Sequence, residues 1–124
     1  MSFPKASPWI KDLFATLIEG LACEPRQMFG YPCAFLNGNM FSGVFGDSVM
    51  VRLGEKERAE LLRLPGAKIF DPMGGRPMKE YVQLPDSMLE DEEALGSWVH
   101  QGFGYVKTLP PKVKKKPKAR KAKG

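Results

Sequence analysis

The chain has few of the side chains on which metal sites and disulfide scaffolds depend. Its 124 residues include one histidine and two cysteines, Cys23 and Cys33. A structural zinc site usually takes four such ligands, and a disulfide scaffold needs more cysteines. Both classes are excluded, and we expect no metal and no cofactor. We expect two buried, reduced thiols, although a disulfide stays open if a helix packs on the strand that follows it.

Acidic residues are missing from the C-terminal end. Eight of the 19 basic residues and none of the 14 acidic residues lie from Lys112 onward, which leaves eleven basic against fourteen acidic residues before it. Such a segment is too basic and too poor in large apolar residues to fold alone. We expect one domain over residues 1–110 and a disordered Lys/Pro/Ala-rich tail over residues 111–124.

The tail is similar to the Lys/Pro/Ala tails of histone-like proteins. It suits the phosphate backbone of a nucleic acid, which it would bind without reading the sequence. A purely solubilising role is the alternative. The candidate nucleic-acid-binding residues are Lys112, Lys114, Lys115, Lys116, Lys118, Arg120, Lys121 and Lys123.

Residues 27–46 carry no charge. A membrane-spanning helix needs about 20 mostly apolar residues, but this stretch contains one proline and four glycines, which disfavour a helix. With a period of two it predicts strands, because Asn37-Gly38 is a strong signal for a type I′ turn and Gly46-Asp47 offers a second turn. We therefore expect a three-stranded meander and no membrane contact. The first apolar segment contains charges unlike a secretory signal, which indicates the cytoplasm.

The two turns predict which side chains share a face of the meander. The face expected to meet the helices is nearly all apolar and contains Tyr31, Cys33, Phe35, Met40, Ser42, Val44, Val49, Val51 and Leu53. On the other face, an aromatic–cationic patch is expected to be partly exposed and to suit a protein partner. Its members are Phe41, Phe45, Met50 and Arg52.

The rest of the chain predicts helices and two more strands. Ser7 is the expected cap of a first helix that starts at Pro8 and ends before Pro25. A second helix is predicted over residues 55–64, strands over 67–70 and 78–84, and a last helix from 89 to about 106. The order α-β-β-β-α-β-β-α predicts an α+β domain: a five-stranded antiparallel sheet with helices packed on it. Its expected core includes Leu13, Leu17, Val49, Val51 and Trp98.

Several short motifs resemble the TfoX/Sxy N-terminal domain family over roughly residues 8–107. They are Met28-Phe29-Gly30, Asn37-Gly38 with Phe41, "SVMVRL", and Phe70, Met78 and Tyr81 ahead of Leu84-Pro85 and an acidic helix. The resemblance implies the same element order and a regulatory role, since the founding members regulate bacterial competence genes. Two departures stop a direct transfer of that role: Tyr31 replaces a frequent glycine, and a basic tail replaces the C-terminal domain of the full-length regulators.

No group of residues indicates catalysis. His100 is expected to be solvated on the last helix, and Gly74-Gly75-Arg76 matches no phosphate-binding loop. We therefore expect a non-enzymatic module that binds an unknown protein partner, and a homodimer stays open. The candidate partner-binding residues are Met28, Phe29, Gly30, Phe41, Arg52 and Arg76. The alternative is an enzyme or small-ligand-binding protein with a pocket around residues 28–31, Arg52 and Arg76.

Overall fold

The computed structural model describes residues 5–28, 30–71, 74–75 and 77–111, and these form an α+β domain. The elements in chain order are α1 (Pro8–Ile18), β1 (Glu24–Met28), β2 (Tyr31–Leu36), β3 (Asn39–Phe45), β4 (Ser48–Arg52), α2 (Glu55–Leu62), β5 (Lys68–Phe70), β6 (Met78–Gln83), a 3-10 segment (Asp86–Glu90) and α3 (Glu92–Lys107). The predicted fold class is confirmed. The tail expected over residues 111–124 lies outside the described residues from Lys112 onward.

The sheet in the described part of the chain has six strands rather than the five predicted, in the order β1-β2-β3-β4-β6-β5, all antiparallel. The additional strand is β1, whose five residues are all exposed. The sequence does not predict it because a strand with no buried face shows no apolar alternation. Pro25 and the charged Glu24 and Arg26 are typical of an edge strand that resists further pairing.

Both predicted turns of the meander are present. Asn37 and Gly38 have φ angles of 54° and 82°, as a type I′ turn requires. Leu36 then pairs with Asn39, and Phe45 pairs with Ser48. The predicted hairpin positions are confirmed, and the uncharged stretch forms strands.

A β-bulge at Phe41 reverses half of the predicted face assignment. Ala34 pairs with Ser42 and Phe35 with Met40, so Phe41 is an extra residue in β3. One extra residue exchanges the two faces for the neighbouring residues before it, whereas Tyr31 at the start of β2 belongs to the main core cluster, as predicted. Cys33, Phe35 and Met40 therefore join an apolar cluster away from the helices, and Phe41 joins the cluster under them. The prediction for these four side chains is wrong, whereas that for Val49 and Val51 is confirmed.

Helices α1 and α3 cover one face of the sheet and enclose the main core. Leu17, Val49 and Val51 are buried there, and the partly buried Leu13 and Trp98 pack against the same cluster, as predicted. α1 begins next to Ser7, but the Ser7 side chain makes no capping hydrogen bond. Its backbone N–H and its hydroxyl instead donate to the Asp47 carboxylate at 2.9 and 3.0 Å, which ties α1 to the β3–β4 turn.

The packing of α3 depends on the absence of a side chain at Gly102. A Cβ atom there would lie 3.0 Å from the carbonyl oxygens of both Phe41 and Arg52. This close approach also brings the Phe103 ring against the Phe41 ring, with centroids 5.3 Å apart in an edge-on arrangement. Only glycine allows the helix backbone to lie this close to the sheet.

We expect Gly102→Ala to destabilise the protein by about 1–3 kcal/mol, because backbone carbonyls cannot move aside as a flexible side chain would. Gly104 of the same helix has no neighbouring atom within 4 Å of a Cβ position and provides a matched control. Gly104→Ala should stabilise the protein by about 1 kcal/mol through helix propensity alone. Urea unfolding of both variants measures the difference, and equal midpoints would contradict the close packing.

A second apolar cluster lies on the face that α1 and α3 do not cover. It contains the buried residues Cys33, Met40, Met50 and Phe70. The Cys33 thiol donates to the backbone oxygen of Tyr31 at 3.6 Å, and burial raises the pKa of that thiol. Both cysteines are free, so the predicted thiols are confirmed, although Cys23 is only partly buried.

We expect Cys33 to resist alkylation in the native protein, because it is buried and its raised pKa leaves little thiolate near neutral pH. Cys23 should react faster than Cys33, and both should react promptly after unfolding. Iodoacetamide labelling followed by peptide mass spectrometry distinguishes the two sites, with Cys33→Ser as the control for assignment. Equal native rates would contradict the burial of Cys33.

Candidate functional site

The helix-free face of the sheet contains a shallow groove of about 210 Å³, which we call the Arg52 groove. Its lining residues come from β1, the β2–β3 hairpin, β4 and β6, and they are Met28, Phe35, Gly38, Asn39, Met40, Arg52, Met78 and Tyr81. These strands are adjacent in the sheet, so side chains distant in sequence meet on one surface. The groove brings together two of the predicted site residues, Met28 and Arg52.

Arg52 is the charged group of the groove wall. Its Nε donates to the Glu80 carboxylate at 2.7 Å, and its guanidinium carbon lies 5.7 Å from the Tyr81 ring centre and 6.0 Å from that of Tyr105. Burial is the largest single effect and acts to lower the pKa of Arg52, but the hydrogen bond to Glu80 and the electrostatic interactions with Tyr81, Glu80 and Tyr105 together outweigh it, so the pKa is raised. The guanidinium therefore stays charged and is fixed between an acid and two aromatic rings.

Tyr81 closes the groove next to Arg52. The two residues are directly paired across β4 and β6, and the Tyr81 hydroxyl donates to the backbone oxygen of Met40 at 2.9 Å. Burial raises the pKa of the Tyr81 phenol, so the phenol stays protonated and remains a donor. This bond fixes the ring as one wall of the groove.

The remaining walls of the groove are apolar and adaptable. Met28 is 37% exposed, whereas Met40 is buried in the floor. Met78 and Phe35 are partly buried and pack against the same cluster. Methionine side chains are unbranched and polarisable, so they adjust to differently shaped partners.

The structure places the other predicted site residues differently. Gly30 is exposed in the β1–β2 turn. Phe41 has no exposed surface, so its predicted place on an accessible patch is wrong, because the bulge turns it towards α3. Phe29, Arg76 and the eight basic tail residues lie outside the described residues. Sequence reasoning missed Tyr81 as a site residue, since only the pairing of β4 with β6 brings it to Arg52.

The described chain ends beside the groove. The Asn39 side-chain amide donates to the backbone oxygen of Pro110 at 3.2 Å, and Asn39 itself lines the groove. The last described residues of the chain therefore lie near the β2–β3 hairpin.

A second hollow, between α1 and β1, is larger at about 480 Å³. Its lining is mostly apolar and includes Leu21, Cys23 and Pro25, with Glu19 as its only charged residue among those described. It brings together no pair of predicted site residues. The Arg52 groove is therefore the stronger candidate site.

The described part of the chain offers few other features that indicate catalysis, metal binding or membrane insertion. His100 is exposed, as predicted. Over the described ranges, no three histidine, cysteine or acidic side chains lie close enough together to hold a metal ion. Nor does any helix within those ranges have the length and apolar character needed to cross a membrane.

Comparison with known proteins identifies a family. No curated protein matches the chain. The family model of the TfoX N-terminal domain matches residues 12–104, which run from within α1 to within α3 and include every strand of the sheet described above. Because this match covers well over half of the sequence, the chain belongs to the TfoX N-terminal domain family.

Proposed function

We propose that this protein is a non-enzymatic, cytoplasmic interaction module, and that the Arg52 groove is its contact surface for a partner protein. Its family is regulatory and is associated with competence regulation. One observation carries the proposal: the sheet face opposite α1 and α3 presents apolar side chains and an arginine in one groove.

The composition and size of the groove support a protein partner. Arginine, tyrosine and methionine are enriched at protein interfaces, and arginine and tyrosine are common among the residues that dominate binding energy. At about 210 Å³, the groove is smaller than the roughly 300–1,000 Å³ typical of small-molecule pockets. It suits one anchoring side chain of a partner better than a whole substrate.

An enzyme or small-ligand-binding protein is the second candidate. Its support is that Met28 and Arg52, which were expected to share a pocket, do line the same groove. The groove is shallow and mainly apolar, and the ionisable side chains among its described lining residues are Arg52 and Tyr81, both with raised pKa values. Neither is poised for proton transfer near neutral pH, so the lining supports binding over catalysis.

We expect affinity purification from the native host to recover a partner with the full-length protein and to lose it with Arg52→Gln. Arg63→Gln, an exposed arginine after α2 with no hydrogen bond from its side chain among the described residues, is the matched control and should retain the partner. Parallel samples with and without nuclease separate protein contacts from contacts bridged by nucleic acid. Equal recovery with Arg52→Gln and Arg63→Gln would remove the groove from the proposal.

For the tail, we propose sequence-independent binding to nucleic acid. The support is the charge division: eight basic and no acidic residues from Lys112 onward, and more acidic than basic residues before it. Lysine and arginine that neutralise phosphates release counterions, so binding weakens steeply with salt. The tail has no aromatic residue to stack on bases, which favours duplex over single-strand binding.

We expect the full-length protein to bind two unrelated DNA duplexes with similar affinity and with a log–log salt slope near −4 to −5, for about four to six neutralised phosphates. Removal of residues 112–124 should abolish binding and leave thermal stability nearly unchanged, because the core described here does not involve them. A fluorescence anisotropy salt series measures both proteins.

Two outcomes would contradict this proposal for the tail. Undiminished binding by the truncated protein would place the nucleic-acid site on the folded domain, with Arg52 and Arg76 as the first residues to substitute. Absence of binding by both forms would leave the tail a solubilising segment.

A further inference from the structure

The hydrogen-bonding capacity of Arg52 is only partly used. Glu80 accepts a hydrogen bond from Nε, and the Tyr81 hydroxyl oxygen is also within hydrogen-bonding reach of the guanidinium, so most of its five N–H donors have no partner among the described residues. The Arg52 side chain is 21% exposed, against 42% for Glu80, so the arginine is the less hydrated partner of the pair. A hydrogen bond from its unused donors to a ligand acceptor therefore contributes more binding free energy than a hydrogen bond from a ligand donor to the Glu80 carboxylate.

A carboxylate matches these donors best. The guanidinium presents a planar fork, and its two outer amino groups can bind both oxygens of a carboxylate. The rings of Tyr81 and Tyr105 restrict how the guanidinium turns. A fixed fork loses little conformational entropy when it binds.

The apolar slot beside Arg52 restricts how much of a ligand can enter. Met28, Met40 and Met78 line it with Phe35, and the whole groove encloses about 210 Å³. This volume accommodates about one large side chain together with a small charged group. A C-terminal residue fits, because its carboxylate and its side chain branch from one Cα atom.

We propose that the Arg52 groove binds the C-terminal residue of a partner protein, with the terminal carboxylate on Arg52 and a large apolar side chain between the methionines. This inference rests on the proposed function, since it specifies which part of the partner enters the groove. The chemistry required is one negative charge adjacent to one large apolar side chain.

The test uses the full-length protein with ¹³C-methyl-labelled methionine and the peptide acetyl-Gly-Ser-Gly-Ser-Leu as the probe. Met28, Met40 and Met78 report on the groove, and Met88, which packs against the main core, is the internal control. We expect peptide addition up to about 10 mM to shift the three groove signals and leave Met88 unchanged, since one anchor residue gives only weak binding.

Three comparisons isolate the carboxylate. The C-terminal amide of the peptide should bind at least about tenfold more weakly to the unmodified protein, because it lacks the charge-assisted hydrogen bonds. Arg52→Gln should weaken binding of the free acid by a similar factor and remove the difference between acid and amide. Arg63→Gln should change neither affinity.

Several results would overturn the inference. Equal affinity for the acid and the amide would show that the carboxylate is not recognised. Equal binding of an amidated peptide with an internal aspartate would show that the negative charge need not come from a C-terminal residue. Shifts confined to other methionines would move the site, and no shift at all would reject the inference. If affinity purification still recovered a partner that depends on Arg52, the proposed function would stand although the C-terminal residue had been rejected. Failure of the inference is therefore distinguishable from failure of the proposed function.

Discussion

The contact between Gly102 and the sheet is the constraint on which both the core and the candidate site depend. The α3 backbone lies against the carbonyl oxygens of Phe41 and Arg52, where a Cβ atom would not fit. This position sets the Phe103 ring on Phe41 inside the core. It also places Tyr105, one turn further along α3, near the Arg52 guanidinium. One close backbone approach thus orders the core and places Tyr105 beside Arg52.

The bulge at Phe41 decides which apolar side chains the helices cover. Without the extra residue, β2 and the first half of β3 would turn Cys33 and Met40 towards the helices. With it, Phe41 fills the space under α3, and Met40 becomes the floor of the Arg52 groove. The apolar floor of the Arg52 groove is therefore a consequence of one irregularity in strand pairing.

The Arg52 groove lies beside the last described residues of the chain. Asn39 lines the groove, and its side-chain amide also donates to the backbone oxygen of Pro110. In the proposed function, the groove binds a partner protein and the tail binds nucleic acid. The folded part contributes shape and apolar contacts, whereas the tail contributes charge without sequence preference. This division agrees with a regulatory family that has no enzymatic activity.

Sequence alone determined the features that depend on neighbouring residues: the Asn37-Gly38 turn, the positions of the three helices to within a few residues, the free thiols and the core around Leu17 and Val51. Turn chemistry and apolar periodicity act over a few residues, so they can be read directly. The tertiary structure decided strand β1, the bulge, and the meeting of Arg52 with Tyr81 across β4 and β6. These features depend on pairing between segments far apart in the chain. Their stability comes from cross-strand neighbours that no local sequence pattern specifies.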